Sequence, residues 1–110
     1  MEAANRAALA NAIEMLWNRF LPEMRARVSI LEAAATSFAA GSLTLPQQKA
    51  ANAAAHKLAG GLGTFGLTKG TVLARELEIM YSQEDGPDPT AGNRLQFITA
   101  ELRTIIEDRK

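Results

Sequence analysis

Apolar residues return every three or four positions over most of this 110-residue chain, and extended alternating runs of β-branched and aromatic residues are missing. A period near 3.6 buries one face of a helix, whereas a half-buried strand needs a period of 2. The background is dominated by Ala, Leu, Glu, Arg and Met, which lose little conformational freedom in a helix. The chain is therefore expected to be all-α.

Glycine and proline divide the pattern into five helical segments. The first covers about residues 3–20, with Leu9, Ile13, Leu16, Trp17 and Phe20 as its apolar face, and Pro22 is expected to break or kink it. The second runs from about Pro22 to Ala40 with Met24, Val28, Leu31, Ala35 and Phe38 pointing one way, and Gly41 is its C-terminal cap. "SLTLP" makes a turn, Pro46 suits the start of a third helix reaching about Leu62, and "GTFG" follows it. Thr68 is expected to cap a fourth helix that holds Val72, Leu73, Leu77, Ile79 and Met80 inside and ends near Ser82. After the polar loop "SQEDGPDPTAG", a fifth helix over about residues 91–108 carries Leu95, Ile98, Leu102, Ile105 and Ile106 on one face. Such helices, joined by short loops, pack best as an antiparallel bundle. The expectation is one domain over residues 1–110, an antiparallel four-helix bundle with an additional N-terminal helix that caps or extends it.

Composition narrows the function classes. Twelve basic residues balance twelve acidic ones and are scattered, so nucleic acid is an unexpected partner. Cysteine is absent and there is one histidine, which argues against a disulfide framework, a metal site or any bound cofactor and suits a cytoplasmic setting. No run approaches the roughly 18 apolar residues of a membrane span. A monomer is expected. Neither a glycine-rich phosphate loop nor a strand-borne nucleophile is present, so any chemistry must come from the helices.

The one histidine lies in "AAAHKLAGGLGTFGL", residues 53–67. At about 100° per residue, Ala51, Ala54, Ala55, Leu58, Leu62 and Phe65 share one sector of the third helix, and His56 lies roughly 150° from its centre. His56 therefore faces water or a partner, in company with Lys49, Asn52, Ala53, Gly60 and Gly63. Helical side chains lean towards the N-terminus, so the residue that would cover His56 is number 60, and that residue is glycine. Gly60 and Gly61 each weaken the helix by about 1 kcal/mol relative to alanine. Gly60 is read as clearing access to the ring, and Gly61, nearer the core, as allowing close packing. An exposed, largely neutral imidazole is a competent nucleophile or phosphoryl acceptor. In-line positioning and charge stabilisation, the main demands of phosphoryl transfer, can come from a partner protein with its own metal ion.

The motif of His56, Leu58, Gly60, the "GTFG" turn at residues 63–66 and the later Leu77-Glu78 resembles the phosphoacceptor region of histidine-containing phosphotransfer (Hpt) domains. It looks most like the phosphotransfer domain of chemotaxis histidine kinases and the modules attached to hybrid kinases and response regulators. The resemblance implies that His56 accepts a phosphoryl group and exchanges it with an aspartate of a response-regulator receiver domain, a histidine kinase being the donor. It implies a phosphocarrier without kinase activity of its own. Glu78 matches the family's acidic residue that hydrogen-bonds the imidazole; the competing reading is an exposed helical acid. Many members carry a lysine or arginine three residues after the histidine, where this chain has Ala59. Lys57 is about 100° off the histidine's face and Lys49 lies about 10 Å along the axis, which leaves Arg75 either as the replacement charge or as a solvated surface arginine. Partner contacts are expected at Lys49, Asn52, Ala53, Lys57, Ala59, Gly60 and Gly63. Trp17 and Phe20 seal the bundle's end or else join a docking surface. The alternative to transfer is a helical interaction or dimerisation module that binds a receiver or kinase and moves no phosphate.

Overall fold

The computed structural model describes residues 2–109. Four helices follow one another: α1 (Glu2–Ala39), α2 (Leu45–Thr64), α3 (Thr68–Ser82) and α4 (Gly92–Asp108), with no strand among the described residues. The expected first and second helices are one. Pro22 sits inside α1, where its ring and missing N–H break one intrahelical hydrogen bond. It lies on the exposed side of α1, where water can satisfy the released carbonyl, while Trp17, Met24 and Val28 stay buried on the opposite side. Packing on both sides of the proline therefore overrides its local preference.

The C-terminal part of α1 packs against α2 and α4, and α3 closes the ring by packing against the same two helices. Met24, Val28, Leu31, Leu58, Leu62, Leu77, Leu95, Ile98, Leu102 and Ile106 form the fully buried centre. Charged clamps brace the outside. Arg25 and Arg103 of α1 and α4 pair with Glu107 and Glu32 at 2.7 and 2.6 Å, and Arg94 holds the Glu76 carboxyl below its ordinary range by hydrogen bonding.

Trp17 marks where the bundle stops. Its ring meets Phe65 edge-on at 5.1 Å and lies under the Arg109 guanidinium at 4.5 Å, while Arg109 also pairs with Glu14 at 2.9 Å. N-terminal to it, α1 projects past its neighbours. Thirty-eight helical residues span about 57 Å at 1.5 Å each, matching the 58 Å long axis of the molecule against widths of 21 and 20 Å. Leu9, Ile13, Leu16 and Phe20, expected to share a packed face with Trp17, are instead 38–63% exposed: no second helix reaches the first three, and Phe20 lies at the open edge beside the end of α2.

Two further expectations change. Val72 and Ile79, expected inside, are 60% and 62% exposed, since the buried stripe of α3 runs through Leu73, Ala74, Leu77 and Tyr81. Thr68 is the first residue of α3 rather than its cap; Leu67 takes the cap position and no side chain caps that end.

Tyr81 is 2% exposed and its hydroxyl finds no hydrogen-bond partner among the described residues. Burial pushes its phenol up to about 12. Tyr81→Phe is expected to raise stability at neutral pH by about 1–2 kcal/mol, because a buried unsatisfied hydroxyl is removed while the ring stays. The alkaline limb follows from the sign of the shift. Between an unfolded pKa of about 10 and the raised folded value, the unfolded chain loses its proton first, so wild-type stability falls as pH rises through that window. Thermal unfolding at pH 7 and across pH 9–12 checks both points: the variant should start higher and fall less steeply.

Candidate functional site

The start of α2 is fixed by a reciprocal cap. Thr44 Oγ1 accepts from the Gln47 backbone N–H at 3.2 Å, and the Gln47 side-chain oxygen accepts from the Thr44 N–H at 2.9 Å. The inward stripe Ala51, Ala54, Ala55, Leu58 and Leu62 then sets the rotation of the helix. Its alanines keep the α2 surface low where α3 approaches. The far end is closed by the "GTFG" turn, where Leu67 N–H donates to Leu62 C=O at 3.0 Å and Gly66 N–H to Gly63 C=O at 3.1 Å. This is the paired closure of a Schellman motif, and Gly66 at φ +71° takes the left-handed position it requires.

With both ends set, His56 points outward and its side chain is 69% exposed. Glu78 approaches from α3, its Oε2 2.7 Å from His56 Nδ1. A carboxylate can only accept, so the proton of this bond sits on Nδ1 and the lone pair of Nε2 is directed away from the protein. Asn52, one turn before His56, donates through Nδ2 to the Glu78 backbone carbonyl at 2.8 Å. The helix that carries the acid is thereby tied to the helix that carries the imidazole.

The surroundings divide into two sides. On the α1 side, His56, Lys57, Gly60 and Gly61 face Met24 and Arg27 across an open groove that Phe20 and Glu23 also border. A Cβ on Gly60 would meet nothing within 4 Å, whereas one on Gly61 would come within 3.2 Å of Met24 Cε; the two glycines differ as their positions on the helix imply. On the α3 side, Arg75 shares a shallow depression with Asn52 and Glu78 and makes no hydrogen bond or ion pair with the described residues. Gly63 faces Thr71, a Cβ there lying 3.6 Å from its Oγ1. Lys49 and Ala53 are exposed on α2.

One member of the expected contact face is displaced. Ala59 is 1% exposed and belongs to the core, so it offers a partner no surface. Conversely, Arg27 is a cation beside the groove that the chain's local pattern does not reveal; it pairs with Glu23 at 3.6 Å and comes near α2 only through the α1–α2 packing. Among the described residues no group of three or more His, Cys, Asp or Glu side chains could hold a metal ion, and no helix is long and apolar enough to cross a membrane.

The family model of the Hpt domain matches residues 15–108, which takes in all of α2, α3 and α4 and the bundled part of α1. The chain belongs to the Hpt domain family. Protein RcaC from Microchaete diplosiphon is 33% identical over 91 residues, a stretch that covers 83% of this chain and 14% of that protein. No solved structure matches significantly. Hpt domains are components of two-component phosphorelay signalling, and as a family they are phosphocarriers rather than kinases. Residues 2–14 of its long first helix lie outside the matched segment.

Proposed function

We propose that this Hpt domain carries a phosphoryl group on His56 Nε2, exchanging it with the aspartate of a response-regulator receiver domain in the cytoplasm, with a histidine kinase as the original donor. The observation that carries the reading is the outward imidazole whose Nδ1 lies 2.7 Å from Glu78. With Nδ1 protonated, Nε2 attacks the phosphorus of an acyl phosphate in line, the P–N bond forms as the P–O bond breaks, and the aspartate leaves as a carboxylate. The reverse step returns the group to a receiver. The partner's metal ion neutralises the phosphoryl oxygens during transfer. On this chain, Lys57 and Arg27 on one side and Arg75 on the other supply positive charge near the ring, in place of the cation absent at Ala59.

Incubation with a phosphorylated receiver or with kinase and ATP tests the reading. The expected result is a single phosphate on the chain, stable to alkali and lost in acid, as for a phosphoramidate. Binding to the receiver with no label on the chain overturns it in favour of an interaction module.

Gly60 supplies a graded check. Because its missing side chain leaves open space beside the ring, Gly60→Ala is expected to keep the fold and to gain up to about 1 kcal/mol of stability. Gly60→Gln is expected to slow exchange roughly tenfold, the loss of about 1.4 kcal/mol in the transition state, by covering the approach to Nε2. Equal exchange rates for Gly60→Gln and wild type would remove the steric role of the glycine.

A further inference from the structure

The projecting part of α1 and the turn that follows it carry an apolar stripe that the bundle leaves largely exposed. Leu9, Ile13, Leu16 and Phe20 follow one another at intervals of four, three and four residues and are 63%, 38%, 43% and 39% exposed. On a helix they fall within about 60° of one another, roughly 70° around from Trp17. That spacing is the alternating seam of a two-helix coiled coil. Leu9 and Ile13 lie outside the segment matched by the family and Leu16 and Phe20 inside it, so the seam straddles the end of the phosphotransfer bundle.

We propose that this stripe is an antiparallel dimer interface and that its occupant is a second copy of the same chain. The stripe is self-complementary under a two-fold axis. With the axis between Glu14 and Met15, Leu9 packs against the partner's Phe20 and Ile13 against the partner's Leu16, and the same contacts repeat on the other side. The next seam position at either end then sets Arg6 against the partner's Glu23, placing opposite charges at both ends of the seam. The flanking positions set Ala12 against the partner's Arg19, with no like charges facing and a small residue where the helices must approach. A parallel pairing would instead put arginine against arginine at residue 6 and glutamate against glutamate at residue 23. Charge therefore selects the antiparallel arrangement.

The contact runs over some 18 residues, about 27 Å of helix. It takes eight large apolar side chains out of water in the dimer, which places it near the lower end of specific interfaces, on the order of 1,200 Å². A reversible dimer with a dissociation constant in roughly the micromolar range is expected. The partner's first turn would then run past Glu23 towards Arg27, at the mouth of the groove beside His56.

Sedimentation of the full 110-residue chain over a concentration series tests the proposal. Wild type is expected to show a concentration-dependent dimer, and Leu16→Asp to remain monomeric with an unchanged circular dichroism spectrum, since residue 16 lies outside the core. Glu23→Arg is expected to weaken the dimer about tenfold, and Arg6→Glu combined with Glu23→Arg to restore it to within about twofold of wild type. A chain that stays monomeric up to about millimolar concentration, or a dimer indifferent to Leu16→Asp, overturns the proposal. So does a monomer in which Leu16→Asp weakens receiver binding, because the stripe would then belong to the receiver. None of these readings depends on phosphate reaching His56.

Discussion

His56→Gln is expected to carry no acid-labile phosphate, and Glu78→Gln to carry it after a slower reaction, by about 10-fold, with Glu78→Ala nearer 100-fold. The two residues divide the work. Only His56 carries an imidazole, so its loss removes the atom that forms the P–N bond. Glu78 acts through the ring. Its carboxylate, 2.7 Å from Nδ1, holds the tautomer in which Nε2 has the free lone pair, and it stabilises the positive charge that develops on the imidazole as that lone pair bonds to phosphorus. Gln keeps an oxygen that accepts from Nδ1 but also brings an N–H₂ able to favour the other tautomer, and it lacks the negative charge; Ala removes orientation and charge together. The fold should be nearly indifferent to either change. Asn52 bonds to the backbone carbonyl of residue 78, which every substitution retains, so the α2–α3 tie survives. Rapid-quench measurement of transfer from a phosphorylated receiver, alongside thermal unfolding, separates the two effects. Wild-type rates in Glu78→Gln and Glu78→Ala would show that the contact is only structural.

How much of this was legible in the residues depends on what a periodic pattern reports. The alanine-rich stripe of α2 and the Leu95 to Ile106 face of α4 are buried as their spacing implies, because each had a ready-made apolar surface to meet. The outward position of His56 follows from the same wheel. Periodicity, however, describes faces of helices and is silent on which faces are covered. Leu9, Ile13, Leu16 and Phe20 are spaced as well as any core residues, yet the first three lie where the bundle has ended and Phe20 at its open edge. Val72 and Ile79 are apolar but sit beside the stripe of α3 rather than on it, and Tyr81, which is on it, was hidden by its hydroxyl. Ala59 shows the same limit in reverse: its angle, about 60° from His56 and 90° from the centre of the stripe, places it towards the site, whereas the packing of the bundle buries it. Arg27 is more than twenty residues from His56, and only the packing of α1 on α2 brings it to the groove.

Pro22→Ala is expected to stabilise the domain by about 2 kcal/mol, which corresponds to roughly 8 °C in Tm for a chain of this size. Proline inside a helix is worse than alanine by about 3 kcal/mol, through the lost N–H bond and the clash of its ring with the preceding turn. Part of that gain is offset, because proline also restricts the unfolded chain, an effect of about 0.4–1 kcal/mol that alanine gives up. No native packing opposes the change, since Pro22 is exposed and the core residues on either side of it, Trp17 and Met24, lie on another face. A drop in stability, or none of the expected gain, would mean that the ring makes contacts which its exposure excludes. The substitution also probes how the two halves of α1 are joined. The four residues between Trp17, sealed by Phe65 and Arg109, and Pro22 connect the projecting segment to the bundle, and restoring the missing hydrogen bond should stiffen that connection. If the stripe from Leu9 to Phe20 pairs two copies along a straight seam, Pro22→Ala should tighten the dimer as well as raise Tm, whereas a helix that needs a kink there to bring the copies together would gain stability and lose association.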